Sequence, residues 1–408
     1  MTRSQGIALA ALASFCGVFA AQAQIDPSKR ELIQLGYNLP LEGSAPLSAY
    51  AFYYLNIPHF VRTNLTLRLA VAPVYLDSEL GVSHAIAPHT DIGFGVAGGG
   101  FADTYSEVRA GRYLRSESFT GHGGGGSVSL YQLFNPGQRI PLNGVARLES
   151  HSSFYERDTK TAPDFILPKN RTTLNVRTGL RWGGQEPLMI PDFAMEISAW
   201  YEGQLRTRIG SYGFAGDRKV EQTSHLFWGR ALLAYTLTNW HHNFYVNLTL
   251  GTSLDADRFS AYRLGGVLPL AAEFPLTLPG YYFQEISARQ FVLLGGNYSL
   301  PLDRKDRWAI NALATTAGVD YSPGVEQPGH WHSGVGGGIR YRSPHNAWQM
   351  VVGYAYGIDA IRTTGRGSHS VGLLLQFDLE RANVALFEPG ENPMRSRGLQ
   401  RIFGGFFQ

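Results

Sequence analysis

Cysteine is almost missing from this sequence: Cys16 is the only one in 408 residues. It falls inside an N-terminal stretch with the marks of a secretory signal peptide. Arg3 gives a basic start, Ile7 to Ala21 is an apolar run, and Ala21-Gln22-Ala23 fits a small-x-small cleavage site. Lipid attachment at Cys16 would need a small residue before it, and Phe15 stands there. Residues 1–23 are therefore expected to be removed. What remains has no disulfide, no thiol nucleophile and no cysteine-based metal site. Long hydrophobic runs are missing as well. Beyond the signal no apolar stretch reaches the ~18 residues that a membrane-crossing helix needs. Charge of one sign is also scarce: the formal balance of +3 is too small to point to a nucleic acid partner. An exported soluble protein and a protein that crosses a membrane as β-strands both fit these absences.

What is present favours strands. The 48 glycines and the 12% aromatic content suit a barrel with close strand packing and aromatic girdles at the membrane surfaces. Apolar residues recur with period 2 along nearly the whole chain. From His242 to Gly251, Phe244, Val246, Leu248 and Leu250 oppose Asn243, Tyr245, Asn247 and Thr249. Leu65, Leu67, Leu69 and Val71 likewise oppose Asn64, Thr66, Arg68 and Ala70. A soluble β-sandwich alternates too, so length has to discriminate. Many segments are longer than the usual strand of about 5–6 residues, and a tilted transmembrane strand needs about 9–11. Fifteen segments from 31–40 to 368–380 read as strands, among them 62–76 and 89–101. Single-chain bacterial barrels have even numbers, and their external loops are longer than their periplasmic turns. Both rules are met if a sixteenth strand lies in 102–121, at Thr104 to Arg115. The prediction is an all-β transmembrane antiparallel barrel of about sixteen strands over 24–380, preceded by the signal and followed by a tail, 381–408, with room for one short amphipathic helix. Few residues separate the cleavage site from the first strand, so no separate domain is expected between them.

On the faces opposite the apolar ones stand Arg68, Arg147, Glu149, Arg177, Arg181, Glu196, Glu202, Arg206 and Arg230. A charge facing lipid near the midplane costs about 2–4 kcal/mol, which places these nine toward the lumen. They read either as a salt-bridged brace for the barrel or as a mildly basic channel favouring anions. Strings that suggest chemistry lack the context they need. Gly93-Phe-Gly95-Val-Ala-Gly98 fits a dinucleotide fingerprint, but more glycine and a strand-like run follow where a helix is required. His122-Gly-Gly-Gly-Gly126 is like an esterase oxyanion loop, yet no Gly-x-Ser-x-Gly occurs in the chain. His241-His242 and His330-x-His332 lie in predicted turns or loop edges without nearby carboxylate or cysteine ligands, and read as exposed interfacial histidines. No catalytic residue, metal or cofactor is expected.

Three stretches carry a resemblance. From Arg258 the chain runs Phe259-Ser-Ala-Tyr-Arg-Leu264-Gly265-Gly266, then an irregular Pro-rich passage, then Pro279-Gly280-Tyr281. Gly334-Val-Gly-Gly-Gly-Ile-Arg340-Tyr-Arg-Ser343-Pro344 is a Gly-rich hairpin closed by Tyr-x-Ser-Pro. The last strand carries Ser370, Gly372, Leu375 and Phe377 in a polar-x-Gly-x-x-apolar-x-apolar order. Together these resemble the bacterial surface antigen superfamily, the barrels of outer-membrane assembly factors and two-partner secretion transporters. The resemblance implies that loop 255–283 enters and plugs the lumen, and that the last strand is read by the barrel-assembly machinery. It implies a bacterial outer-membrane location with lipid, that machinery, and a secreted or periplasmic protein as partners. The departures are specific. The family's loop-tip arginine is replaced at Pro279, its acidic partner falls at Val351, and its Glu-x-Arg falls at Asn297 and Ser299. The assembly factors' periplasmic repeats are absent from the sequence. With both halves of the family's ion pair gone, the loop is expected to rest on packing and on Tyr281. The leading expectation is protein translocation, membrane assembly or solute passage without catalysis. The alternatives are a plain passive pore and an outer-membrane lipid-modifying enzyme, which would need a Ser/His/acid group near the rim.

Overall fold

The computed structural model describes residues 28–184, 192–237, 239–266 and 275–386. The predicted signal 1–23 and the tail beyond 386 lie outside these described residues. Among the described residues sixteen antiparallel strands form the barrel wall, and the short strand Tyr262–Leu264 pairs onto the same sheet. They are β1 (Arg30–Pro40), β2 (Ala49–Pro58), β3 (Leu65–Ala72), β4 (Tyr75–Val82), β5 (Thr90–Gly99) and β6 (Thr120–Leu133). Then come β7 (Leu142–Glu156), β8 (Arg171–Gly184), β9 (Phe193–Arg206), β10 (Thr223–Thr236) and β11 (Asn243–Leu254). β12 (Ile286–Pro301), β13 (Trp308–Tyr321), β14 (Trp331–Arg342), β15 (Trp348–Arg362) and β16 (Gly365–Asp378) complete the sheet. Each strand pairs with the next, and β16 pairs back onto β1 from Leu32↔Asp378 to Pro40↔Ser370. Closure follows from the solvent, because hydrocarbon offers no partner to a free N–H or C=O. The fold is a closed transmembrane barrel.

The period-2 pattern sorts the two walls. On β12, Leu294 is 47% exposed on the outer face while its neighbour Leu293 is 1% exposed inside. On the outer face near the short connections, Trp308, Tyr341 and Trp348 pack in series with tilted rings at 4.6 and 5.0 Å between centroids. Amphipathic rings at that level suit the boundary between lipid and water.

The sixteenth strand is not where the sequence placed it. Tyr75–Val82 is the extra strand, and Thr104 to Arg115 lies in the connection 100–119 between β5 and β6. Only Pro73 and Val74 separate β3 from β4; the expected segment 62–76 runs through this turn and stops two residues into β4, and the rest of β4 falls in the connection expected before 89–101. On β4, Leu76, Leu80 and Val82 share the outer face, whereas Asp77 and Glu79 face inward, bonded to Arg68 at 3.2 Å and Arg147 at 2.9 Å. The strand-like pattern of 104–115 has another cause. Val108–Arg109 and Arg112–Tyr113 make a two-residue ladder, and Tyr105 bridges to Phe119, in a connection that folds into the barrel mouth. The asymmetry survives. The long connections 100–119, 157–170, 207–222 and 255–285 lie at one end of the barrel, and the start of β1 at Arg30 and the end of β16 at Asp378 lie at the other. This is the asymmetry of outer-membrane barrels, in which the end with the long connections is the extracellular one. After β16 a short helix, α1 (Leu379–Leu386), packs beside β1 through buried Leu379 and a Lys29–Glu380 ion pair.

Candidate functional site

The connection 255–285 between β11 and β12 leaves the wall and re-enters the barrel. A tight turn starts it: the Asp257 carboxylate accepts the N–H groups of Phe259 and Ser260, and also binds Arg206 at 2.7 Å with both side chains buried. Tyr262 to Leu264 then pair back along β12, opposite Ala288 to Ile286. Leu264 is fully buried. Gly265 donates to the Leu276 carbonyl and Gly266 bridges to Leu278, so Leu264-Gly265-Gly266 opens an inner hairpin whose far limb is 276–278. Residues 267–274, most of the irregular Pro-rich passage, lie outside the described residues.

The tip, Pro279-Gly280-Tyr281, reaches the inner walls of β14 and β15. Gly280 has φ +81°, and a Cβ there would sit 1.9 Å from the Gly357 nitrogen. Only glycine meets both demands. Its neighbour Tyr281 is buried and its hydroxyl lies 3.2 Å from His332 Nδ1, while Tyr321 holds the other ring nitrogen at 2.5 Å. Burial pushes the Tyr281 phenol up, so it stays protonated. Tyr282 crosses to the β1–β2 connection and donates to the Glu42 carbonyl at 2.8 Å.

The expectation that no ion pair holds this loop is overturned. Glu285, at the end of the loop, takes Arg362 at the end of β15 in a two-pronged pair of 2.7 and 3.0 Å. Each side chain is 1% exposed. Arg362 also lies 3.7 Å over the Tyr282 ring, and Glu285 accepts the Tyr282 N–H at 2.7 Å. Burial pushes the Glu285 carboxyl up from the usual range, against the pull of Arg362 and the Tyr282 amide. The acid sits on the loop and the base on the wall. This reverses the polarity that the resemblance implied, and Pro279 and Val351 carry no charge. His332 is a second correction. It is buried in this cluster, not exposed, whereas His330 and His241 are exposed. Sequence reasoning missed His332 although it continues an inward-facing set with Gly334, Gly336 and Arg340.

The nine charges named from the sequence face the lumen, and each has a partner. Arg68 pairs with Asp77, Arg147 with Glu79, and Arg177 with Glu202 at 2.6 Å. Glu196 takes Arg230 at 2.6 Å and has Arg181 at 3.8 Å. Glu149 lies 3.9 Å from His151, and Arg206 holds Asp257. The pairs run mostly between neighbouring strands, the geometry of a brace. Of the last-strand residues, Ser370 and Gly372 face inward, while Leu375 and Phe377 sit on the outer wall opposite Leu35 and Ile33 of β1. Among the described residues no group of three or more His, Cys, Asp or Glu side chains could hold a metal.

No protein-family model matches the sequence, and no curated protein matches it. Solved structures do match in fold. CdiB from Escherichia coli aligns with a TM-score of 0.55 at 11% identity, over 86% of this chain and 63% of that one. CdiB from Acinetobacter baumannii gives 0.54 at 11%, over 86% and 60%. BamA from Haemophilus ducreyi lacking POTRA domains 1–3 gives 0.52 at 12%, over 85% and 70%. The chain thus spans less than two thirds of the CdiB chains that it resembles. The shared feature is the barrel.

Proposed function

We propose that this chain, a transmembrane barrel with the fold of the CdiB and BamA barrels, passes or assembles material at the bacterial outer membrane. The candidates are protein translocation, membrane assembly and solute passage, with connection 255–285 closing the lumen at rest. The observation that carries the reading is the tip of this connection. A segment with no structural duty would not bury Leu278, Tyr281 and Tyr282 inside the barrel, nor place its Glu285 in a fully enclosed ion pair. Ordering such a loop costs backbone entropy of about 1–2 kcal/mol per residue, and Pro275 and Pro279 lower that cost by fixing φ. The reading assigns no catalytic chemistry to the chain. Its partners are outer-membrane lipid, the barrel-assembly machinery acting on Ser370, Gly372, Leu375 and Phe377, and a secreted or periplasmic client.

Deleting residues 267–277 tests the closure. Single-channel conductance in planar bilayers should rise while heat-modifiable migration on gels stays intact. Unchanged conductance in a folded barrel refutes the plug. A plain pore with an anion preference is the second reading, favoured by Glu196, where two arginines share one carboxylate. It predicts steady conductance of the unmodified barrel with an anion-selective reversal potential.

A further inference from the structure

Connection 100–119 also enters the barrel mouth, and its contacts fall on the same machinery. Asp103 binds His151 on the lumen face of β7 at 2.9 Å. At the far end its hairpin touches the opposite wall. Gly111 has φ +72°, and a Cβ there would lie 1.6 Å from the Ile361 carbonyl oxygen, beside the Arg362 that grips Glu285. Between these anchors stands Glu107, fully buried. It receives Arg258 from connection 255–285, Arg109 from its own hairpin at 3.3 Å and Arg218 from connection 207–222 at 3.8 Å. Tyr105 donates to it at 2.6 Å. Glu117 shares Arg109 and Arg218, so three guanidiniums are held by two carboxylates. Apolar contacts repeat the pattern: Phe259 of connection 255–285 packs on Tyr105 at 5.5 Å and on Tyr212 at 5.3 Å. Arg263 donates to the Ser106 carbonyl at 2.9 Å.

We propose that connections 100–119 and 255–285 close the extracellular mouth as one body, with Glu107 as their shared latch, so that neither undocks alone. This rests on the reading of 255–285 as the plug. The physical reason is the charge inventory. Arg258 leaves Glu107 only if a buried carboxylate gives up a principal partner, and withdrawing Glu107 strips Arg258 of its carboxylate and leaves Arg109 and Arg218 mainly to Glu117. Removing one member of a buried ionic group is far costlier than removing all of it. The second lock sits one residue from the Gly111 contact, and Arg362 donates to the Ile361 carbonyl on which Gly111 rests, so freeing Arg362 also loosens the contact under the 100–119 hairpin. Opening is therefore cooperative, driven by a ligand or client that favours the undocked state of both connections.

The test reads one connection while perturbing the other. Single cysteines replace Val108 or Leu278, both buried, in the full-length barrel, and a membrane-impermeant maleimide is applied from the extracellular side. Arg362→Met disturbs the 255–285 lock and Glu107→Gln disturbs the latch, with heat-modifiable migration confirming that each variant is folded. Each of the two substitutions should raise labelling at both positions by at least about tenfold. If Arg362→Met exposes only position 278 and Glu107→Gln only position 108, the connections move independently and the proposal falls, while the plug reading stands. If neither variant changes either rate, the latch holds nothing and the proposal falls as well. Joint exposure without any gain in conductance would support the coupled body and overturn the plug.

Discussion

Replacing Arg362 with methionine leaves the Glu285 carboxylate in a site where the pair is 1% exposed on each side. A broken buried pair costs about 3–5 kcal/mol, because the surviving charge has lost its partner and gains no water. At 1.4 kcal/mol per tenfold, the ratio of docked to undocked loop should fall about a hundredfold to a few thousandfold. Local opening free energies run from near zero up to the global stability, so a shift of this size empties all but the most firmly docked loops. The barrel itself should be largely spared: on the wall the guanidinium bonds only the Ser368 hydroxyl and the Ile361 carbonyl, and the β15–β16 backbone ladder does not use it. Adding Glu285→Gln should recover most of the loss. Its amide oxygen can still accept the Tyr282 N–H that Glu285 takes at 2.7 Å, and no unpaired charge remains. The assay is single-channel recording of wild type, Arg362→Met and the double variant, with heat-modifiable migration as the folding control. If Arg362→Met is folded and as silent as wild type, the ion pair does not hold the loop. If the double variant conducts as freely as the single one, the cost does not come from the stranded carboxylate.

The outer face should be unforgiving in a register-dependent way: Leu294→Arg should cost about 2–4 kcal/mol in lipid-refolding titrations, and Asn297→Arg on the lumen side much less. Equal costs would mean that the faces are misassigned. A Leu35→Cys/Leu375→Cys pair, directly opposite across the β1–β16 seam, should oxidise readily, because Cα atoms in antiparallel register are within disulfide reach. Raised salt should barely change the resting closure, since buried pairs are screened far less than exposed ones. A steep salt dependence of the closed state would point instead to exposed charges.

Much of the barrel was legible because lipid imposes a simple code. The alternation around Phe244, Val246, Leu248 and Leu250 could be read residue by residue, and it places Asn247 and Thr249 inside as found. The code failed where turns are short or loops behave like walls. The two-residue turn Pro73-Val74 carried the expected strand 62–76 past the end of β3 and hid the start of β4, while Tyr105 and Val108 are apolar because they are buried inside the mouth. The loop site was legible at its glycines and not at its charges. Gly265, Gly266 and Gly280 sit at positive φ, which few other residues tolerate, so the backbone demand is written in the sequence. Glu285 and Arg362 are 77 residues apart, and nothing local marks them as partners. The resemblance also directed attention to an arginine at the tip and an acid on the wall, the opposite polarity. Glu107 was hidden for the same reason: its partners come from three connections that only the closed barrel brings together.

The most direct test of the account is the conductance of the unmodified barrel itself, purified in detergent and inserted into planar bilayers. With the extracellular mouth closed by 100–119 and 255–285, wild type should insert, show heat-modifiable migration and remain nearly silent at moderate voltage, with rare openings at most. Steady channels of uniform size from the wild-type protein would contradict it.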